Sequence, residues 1–190
     1  MSHGLSLAIA LFLGALTWTL LEYCIHRWLG HDAKFRPNPF AKEHIRHHSQ
    51  GDYFAPTLKK MGAALVALAL VTPPAILVAG VELGVAYALG LVGFYGVYEV
   101  LHRREHTSRG FGAYGRWARR HHFWHHFGDS SKNHGVTSPI WDFVFGTYQA
   151  PGVIVVPERL KMQWLTDPET GDVFSDLQAW YSLRRRRAAA

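Results

Sequence analysis

Residues 61–101 read MGAALVALALVTPPAILVAGVELGVAYALGLVGFYGVYEVL, a run whose only charges are Glu82 and Glu99. Soluble core helices seldom run so long without a polar face. The stretch is long enough to cross a hydrocarbon layer of about 30 Å twice. The break is placed at Gly80-Val81-Glu82-Leu83-Gly84, where a glycine-flanked acid sits at the far interface. Pro73-Pro74 falls inside the first crossing and is expected to kink it. Upstream, Leu5 to Cys24 is a third apolar stretch, whose one charge is Glu22. Met1-Ser2-His3-Gly4 offers no Lys or Arg as the n-region of a secretory signal. Three spans are therefore expected, at about 5–24, 61–80 and 84–101.

The chain has 190 residues, with 20 Lys and Arg against 14 Asp and Glu, a net charge of +6. Its mean hydropathy of -0.04 looks soluble only because polar and apolar residues are segregated. Every Lys and Arg lies within 25–60 or 102–190. Three spans put both basic segments on one side, which the positive-inside rule makes the cytoplasm. Topology thus accounts for the basic excess, and no nucleic-acid partner is expected. The lone Cys24 excludes a disulfide framework and any cysteine-built zinc or iron–sulfur site.

Twelve of the 13 histidines lie in the same two segments, so the membrane hairpin gathers them beyond one face of the bilayer. His26 and His31 follow the first span. His44, His47 and His48 form HxxHH, and His122, His125 and His126 form a second. His102 and His106 form HxxxH directly after the third span. On a helix, positions i, i+3 and i+4 share a face, so each HxxHH aims three imidazoles into an arc of about 100°. His26 and His31 are about 140° apart on a regular helix, too wide for one face. Gly30 is expected to end the helix there and let His31 fold back.

Ten converging histidines would supply about five imidazoles to each of two metals. A histidine-lined transporter would carry its ligands within the spans, which hold none. No nucleophile elbow is present. A metal-binding membrane protein without catalysis is the non-enzymatic alternative. Imidazole suits iron, zinc, copper and nickel, and zinc has no redox chemistry, so an oxidation requires iron. Glu22, Glu43, Glu99, Glu105, Asp129 and Asp142 are candidates to bond the far ring nitrogens of ligand histidines. Glu99 and Asp142 are the strongest of these.

The order HxxxxH, HxxHH, HxxxH, HxxHH resembles the membrane fatty acid hydroxylase superfamily, which includes sterol desaturases and fatty acid 2-hydroxylases. The resemblance covers about residues 16–148. Glu22-Tyr23 before His26-Arg27, Tyr98-Glu99 before His102, and the tail Gly135-Val136-Thr137-Ser138-Pro139-Ile140-Trp141-Asp142-Phe143-Val144-Phe145-Gly146-Thr147-Tyr148 match the 2-hydroxylase branch best.

The resemblance implies two iron ions held by His26, His31, His44, His47, His48, His102, His106, His122, His125 and His126. It also implies O2 as co-substrate, a lipid acyl chain as substrate, and hydroxylation at carbon 2. Carotenoid or sterol hydroxylases and desaturases share the histidine spacing and are the alternative; the carotenoid enzymes lack the Trp141–Tyr148 tail. Zinc competes for such imidazoles and is expected to replace iron in purified protein.

The chain departs from the family in several places. One span, not two, precedes the first cluster. The chain has no room for the haem domain often fused in the family, so a separate donor, a ferredoxin or cytochrome with its reductase, is expected. His134 stands where the family usually has an aromatic residue, and it and His121 are possible extra groups at the site.

Beyond Tyr148, Ser175-Asp176-Leu177-Gln178 resembles a capping box. Phe174, Leu177, Trp180 and Tyr181 would then share a helical face before Arg184 to Arg187, as a helix lying on anionic lipid or a disordered basic tail. The expected whole is an all-α integral membrane protein. Residues 1–148 form the membrane-anchored, metal-holding domain, with a cytoplasmic helical cap. Residues 149–190 form a cytoplasmic extension. The membrane is a bacterial inner membrane or, in a eukaryote, the endoplasmic reticulum.

Overall fold

The computed structural model describes residues 2–109 and 112–185. Helix α1 (His3–Cys24) runs into a π-helical stretch, Ile25–His31, and a 3-10 turn, Ala33–Phe35. Helices α2 (Pro39–Gln50), α3 (Thr57–Ala79), α4 (Val81–Thr107), α5 (Gly112–Phe127) and α6 (Ile140–Val144) follow, then strands β1 (Ile154–Pro157) and β2 (Tyr181–Arg184). Three helical stretches are long and apolar enough to cross a membrane: His3–His31, Thr57–Ala79 and Val81–Thr107. The chain is an integral membrane protein. Its residues gather into two compact units, Met1–Glu22 with Ala55–Val100, and Tyr23–Phe54 with Leu101–Ala190.

In the first unit, small residues let backbones meet, as membrane helices require where no water drives their association. A Cβ on Gly14 would collide with the carbonyl oxygen of Tyr87, and one on Gly90 with that of Leu11, so α1 and α4 pack backbone to backbone. Tyr87 Oη donates to Thr17 Oγ1 at 2.8 Å, and Trp18 packs on Tyr95 with ring centroids 4.7 Å apart. Gly80, at φ 83°, breaks α3 from α4, and Gly84 sits with its Cβ position 2.6 Å from Ile76 N. Pro73 and Pro74 lie inside α3. Helix α3 leaves Leu65, Leu70, Leu77 and Val78 uncovered by protein, as a helix solvated by hydrocarbon does.

The second unit has an ordinary apolar core. Phe123 of α5 packs with Ile154, Val156, Met162, Trp164, Leu165, Val173, Leu177 and Tyr181. Strands β1 and β2 pair in parallel, with Ile154 opposite Tyr181 and Val156 opposite Leu183. This corrects the expectation of a helix at 175–181. Residues 175–180 are turns, and Leu177 and Tyr181 are buried because β1 takes Tyr181 as a strand partner. The fold is therefore mostly helical with one small sheet. The segment after Tyr148 is a wall of the core; Arg184 and Arg185 belong to it, while Arg186 and Arg187 lie outside the described residues.

Candidate metal centre

The ten histidines singled out by spacing fall into two groups of five. His26, His31, His44, His48 and His125 form one; His47, His102, His106, His122 and His126 form the other. Within each group the candidate ligand atoms lie within 4.8 Å of one another, and neither includes a carboxylate. The sharing is reciprocal. Helix α2 sends His44 and His48, one turn apart, to the first group and His47 to the second. Helix α5 sends His122 and His126 to the second group and His125 to the first. Helix α4 adds His102 and His106. The two groups abut, with the His48 and His126 rings stacked at 4.0 Å.

The remaining pair, His26 and His31, meets by a different route from the one expected. Gly30 does not end the helix; the chain continues as a π-helix through His31. The i to i+5 register of that helix brings residues five apart over one another, and such turns are frequent at functional sites. Gly30 has another use. A Cβ there would lie 2.9 Å from His44 Cδ2, so glycine lets the α2 imidazole close on the π-helix.

The nitrogens are spaced as ligands of an ion would be. Metal–nitrogen bonds of about 2.1 Å put neighbouring donors about 3 Å apart. His31 Nε2 lies 2.8 Å from both His44 Nε2 and His125 Nε2. His102 Nε2 lies 3.0 Å from His47 Nε2, and His106 Nε2 3.1 Å from His122 Nε2. Buried Nε2 atoms of His26, His48 and His126 have no hydrogen-bond partner, a costly state for polar atoms that a cation relieves. Burial, reinforced by neighbouring imidazoles, holds His44, His122, His125 and His126 well below the usual histidine range and His48 at about 3. The rings are thus in the neutral form that binds metal.

Backbone carbonyls aim several of these rings. Nδ1 of His26 lies 2.5 Å from the His134 carbonyl oxygen, His47 Nδ1 2.7 Å from that of Tyr53, and His125 Nδ1 2.7 Å from that of Lys132. A carbonyl accepts only from N–H, which fixes the tautomer and leaves the Nε2 lone pair for an ion. These acceptors leave no mark in a sequence.

Several of the carboxylates have other partners. Glu99 pairs with Lys60, Glu43 accepts from Tyr53 Oη, and Asp129 caps its own turn at Ser131 N, 2.8 Å away. Glu22 and Glu105 are buried. Asp142, fully buried, accepts from His134 N at 2.8 Å, Gly135 N at 2.9 Å and Thr147 Oγ1 at 2.7 Å, with His121 Nε2 3.1 Å away. It holds the loop whose His134 carbonyl meets His26. His121 stacks on Trp117 and belongs to neither group. The His134 ring stands 5.2 Å from that of His125, beside the first group and outside it. Sequence reasoning missed Asn133. At φ 56°, tolerated best by asparagine and aspartate after glycine, its side chain exchanges two hydrogen bonds of 2.8 Å with the Gln149 backbone.

Comparison with known proteins gives a consistent result. The family model described as "Fatty acid hydroxylase" matches residues 11–147. The chain is 32% identical to the ceramide very long chain fatty acid hydroxylase scs7 of Schizosaccharomyces pombe, over 75% of this chain and 43% of that one. It is 33% identical to the fatty acid 2-hydroxylase of Rattus norvegicus, over 83% and 43%, and 30% identical to a dihydroceramide fatty acyl 2-hydroxylase of Arabidopsis thaliana, over 74% and 60%. Among solved structures, full-length scs7p, with only its hydroxylase domain visible, aligns with a TM-score of 0.58 and 28% identity, covering 77% of this chain and 61% of that one. The chain spans less than two thirds of the length of each of these relatives.

Proposed function

The chain belongs to the fatty acid hydroxylase family, and from that premise we propose that it is an O2-dependent di-iron enzyme hydroxylating a lipid acyl chain at carbon 2. The observation that carries the reading is the pair of five-histidine groups in a chain whose named relatives are acyl 2-hydroxylases and ceramide hydroxylases. His26, His31, His44, His48 and His125 hold one ion; His47, His102, His106, His122 and His126 hold the other. When bound, iron supplies the redox chemistry by which O2, two electrons and two protons convert a C–H bond to C–OH with release of water.

The chain's own residues do the rest. Neutral imidazoles, without a carboxylate among them, leave each ion its full positive charge. The carbonyls of His134, Tyr53 and Lys132 fix three rings in place, and Asp142 holds the loop that carries the first of these carbonyls. His26 follows α1 directly, and His102 and His106 lie on the last turns of α4, so two of the ligand-bearing segments are continuous with spans. That continuity supports a lipid substrate entering from the bilayer. By the positive-inside rule the site faces the cytoplasm, where a separate ferredoxin or cytochrome supplies the electrons.

The test is reconstitution with iron, a reductase, an electron carrier and ceramide or fatty acyl lipid under 18O2, read by mass spectrometry. A 2-hydroxy acyl product carrying label from 18O2 is expected. A double bond, a different carbon or oxygen from water overturns the assignment.

A further inference from the structure

A cleft of about 220 Å³ opens in the second unit between α5 and the start of β2, outside both histidine groups. Arg116, Trp117, Arg119, Arg120, Trp180 and Tyr181 line it. Arg116 is exposed and Trp180 is 43% exposed, so the cleft is reached from outside. Arg120 lies 3.5 Å over the Trp180 ring, and Arg119, almost fully buried, lies 3.8 Å over Trp164. Each of these two guanidiniums donates to a backbone carbonyl, Arg119 to Ser108 and Arg120 to Pro151, and the buried Nε of each has no partner. Among the described residues no acid lines it. At the rim Asp176 is engaged by Arg109, and Glu105 acts on Arg119 from within the core. Arg116 at the surface and the half-buried Arg120 therefore present positive charge at one opening, backed by the buried Arg119, a site for carboxylates.

The floor of this cleft leads to the second histidine group. The Tyr181 ring stands 5.8 Å from that of Trp164. Trp164 Nε1 donates to the carbonyl oxygen of His106 at 3.0 Å. Its indole also stacks on Phe123 at 5.9 Å, and Phe123 stands 4.9 Å from the His106 ring and 6.0 Å from that of His126. Electron tunnelling is favoured by short, bonded and hydrogen-bonded routes, and here one residue separates the arginine cleft from a ligand histidine.

Resting on the di-iron reading above, we propose that the Arg116–Arg119–Arg120 cleft is the docking site of an acidic one-electron carrier protein, and that Trp164 passes its electrons to the second histidine group. Each encounter oxidises the carrier by one electron and reduces the loaded centre by one. Two encounters, with two protons from solvent, complete the stoichiometry of hydroxylation.

The experiment uses the full chain loaded with iron in nanodiscs of neutral lipid, with an acidic [2Fe–2S] ferredoxin and an acidic b-type cytochrome as probes. Binding and carrier reoxidation are measured by stopped flow at low and high salt. Arg116→Glu and the milder Arg116→Gln, both checked for metal content, are expected to slow association about tenfold or more at low salt, with the gap closing at high salt. Trp164→Phe keeps an aromatic ring, though a smaller one, and loses the indole N–H. It is expected to bind both carriers normally and slow their reoxidation, while reduction by dithionite stays unchanged. Failure of both carriers to bind the wild type, or equal behaviour of wild type and variants, overturns the proposal. So does a loss confined to binding of vesicles containing phosphatidylserine, which makes the cleft a lipid headgroup site. If docking and reduction proceed as expected but no hydroxylated lipid forms, the assigned reaction fails and the docking site stands.

Discussion

Gly30 shows how little space separates the two segments that share the first histidine group. With a methyl group there, the His44 ring must move, because its Cδ2 and Nε2 would stand 2.9 and 3.3 Å from the new carbon, and Phe40, whose ring stacks on His44 at 5.5 Å, lies 3.3 Å from that carbon too. Gly30→Ala is expected to lower metal content from two ions per chain toward one, measured by plasma mass spectrometry. Gly62→Ala, where nothing lies within 4 Å, should leave two.

Asp142 is the other decisive residue. Burial pushes its carboxyl up, but hydrogen bonds from His121, His134, Thr147 and Gly135 outweigh burial and hold it below the usual carboxylate range. A group so depressed stabilises the fold fully above its unfolded pKa of about 4, and that contribution is lost as pH falls below it. Asp142→Asn puts an NH2 against backbone N–H donors. It is expected to destabilise the protein by about 1–3 kcal/mol at neutral pH, the usual cost of a buried donor left without an acceptor. In denaturation of the detergent-solubilised protein, the gap between wild type and this variant should narrow toward strong acid. An unchanged gap would count against the hydrogen-bonded carboxylate as the source.

Among the elements, the α1–α4 contact depends on Gly14 and Gly90, whereas Gly62 of α3 and Gly93 and Gly96 of α4 face open space. Gly90→Val drives a side chain into the Leu11 carbonyl, whereas Gly93→Val points into open space. The first is expected to lower the thermal midpoint of the detergent-solubilised protein clearly and the second hardly at all. The long helices were legible because an apolar run without charge has one reading at that length. Three of the four histidine-bearing segments of the site were legible for a similar reason: HxxHH and HxxxH mark a face only on an α-helix. His26 and His31 defeated the same arithmetic, because the register is π and their spacing of five falls between α-helical positions. The C-terminal strand was hidden differently. Phe174, Leu177, Trp180 and Tyr181 mimic a helical face, and the partner that makes Tyr181 a strand residue is Ile154, far away in sequence. The β-branched run Ile154-Val155-Val156 between Gly152 and Pro157 was the available signal.

At the scale of the molecule, three apolar helices each long enough to cross a membrane predict chain ends on opposite sides of it. A reporter fused after Ala190 is expected on the cytoplasmic side and one at Met1 on the other; both on one side would undo the three-span arrangement. The reciprocal sharing of α2 and α5 has a thermodynamic corollary. Because each helix carries histidines of both groups, ordering either helix for one ion of the proposed pair readies ligands for its neighbour, so loading should be cooperative. Couplings of this kind are typically about 5- to 150-fold. Native mass spectrometry during a titration of metal-free protein should show empty and doubly loaded chains with few singly loaded ones, and His47→Ala should weaken the neighbouring first site as well as its own. A binomial mixture of occupancies would mean that the crossed helices fold independently of what they hold. If loading is all-or-none, a chain short of metal divides its population into complete and empty molecules, and few are left with a single redox ion exposed to O2 without its neighbour.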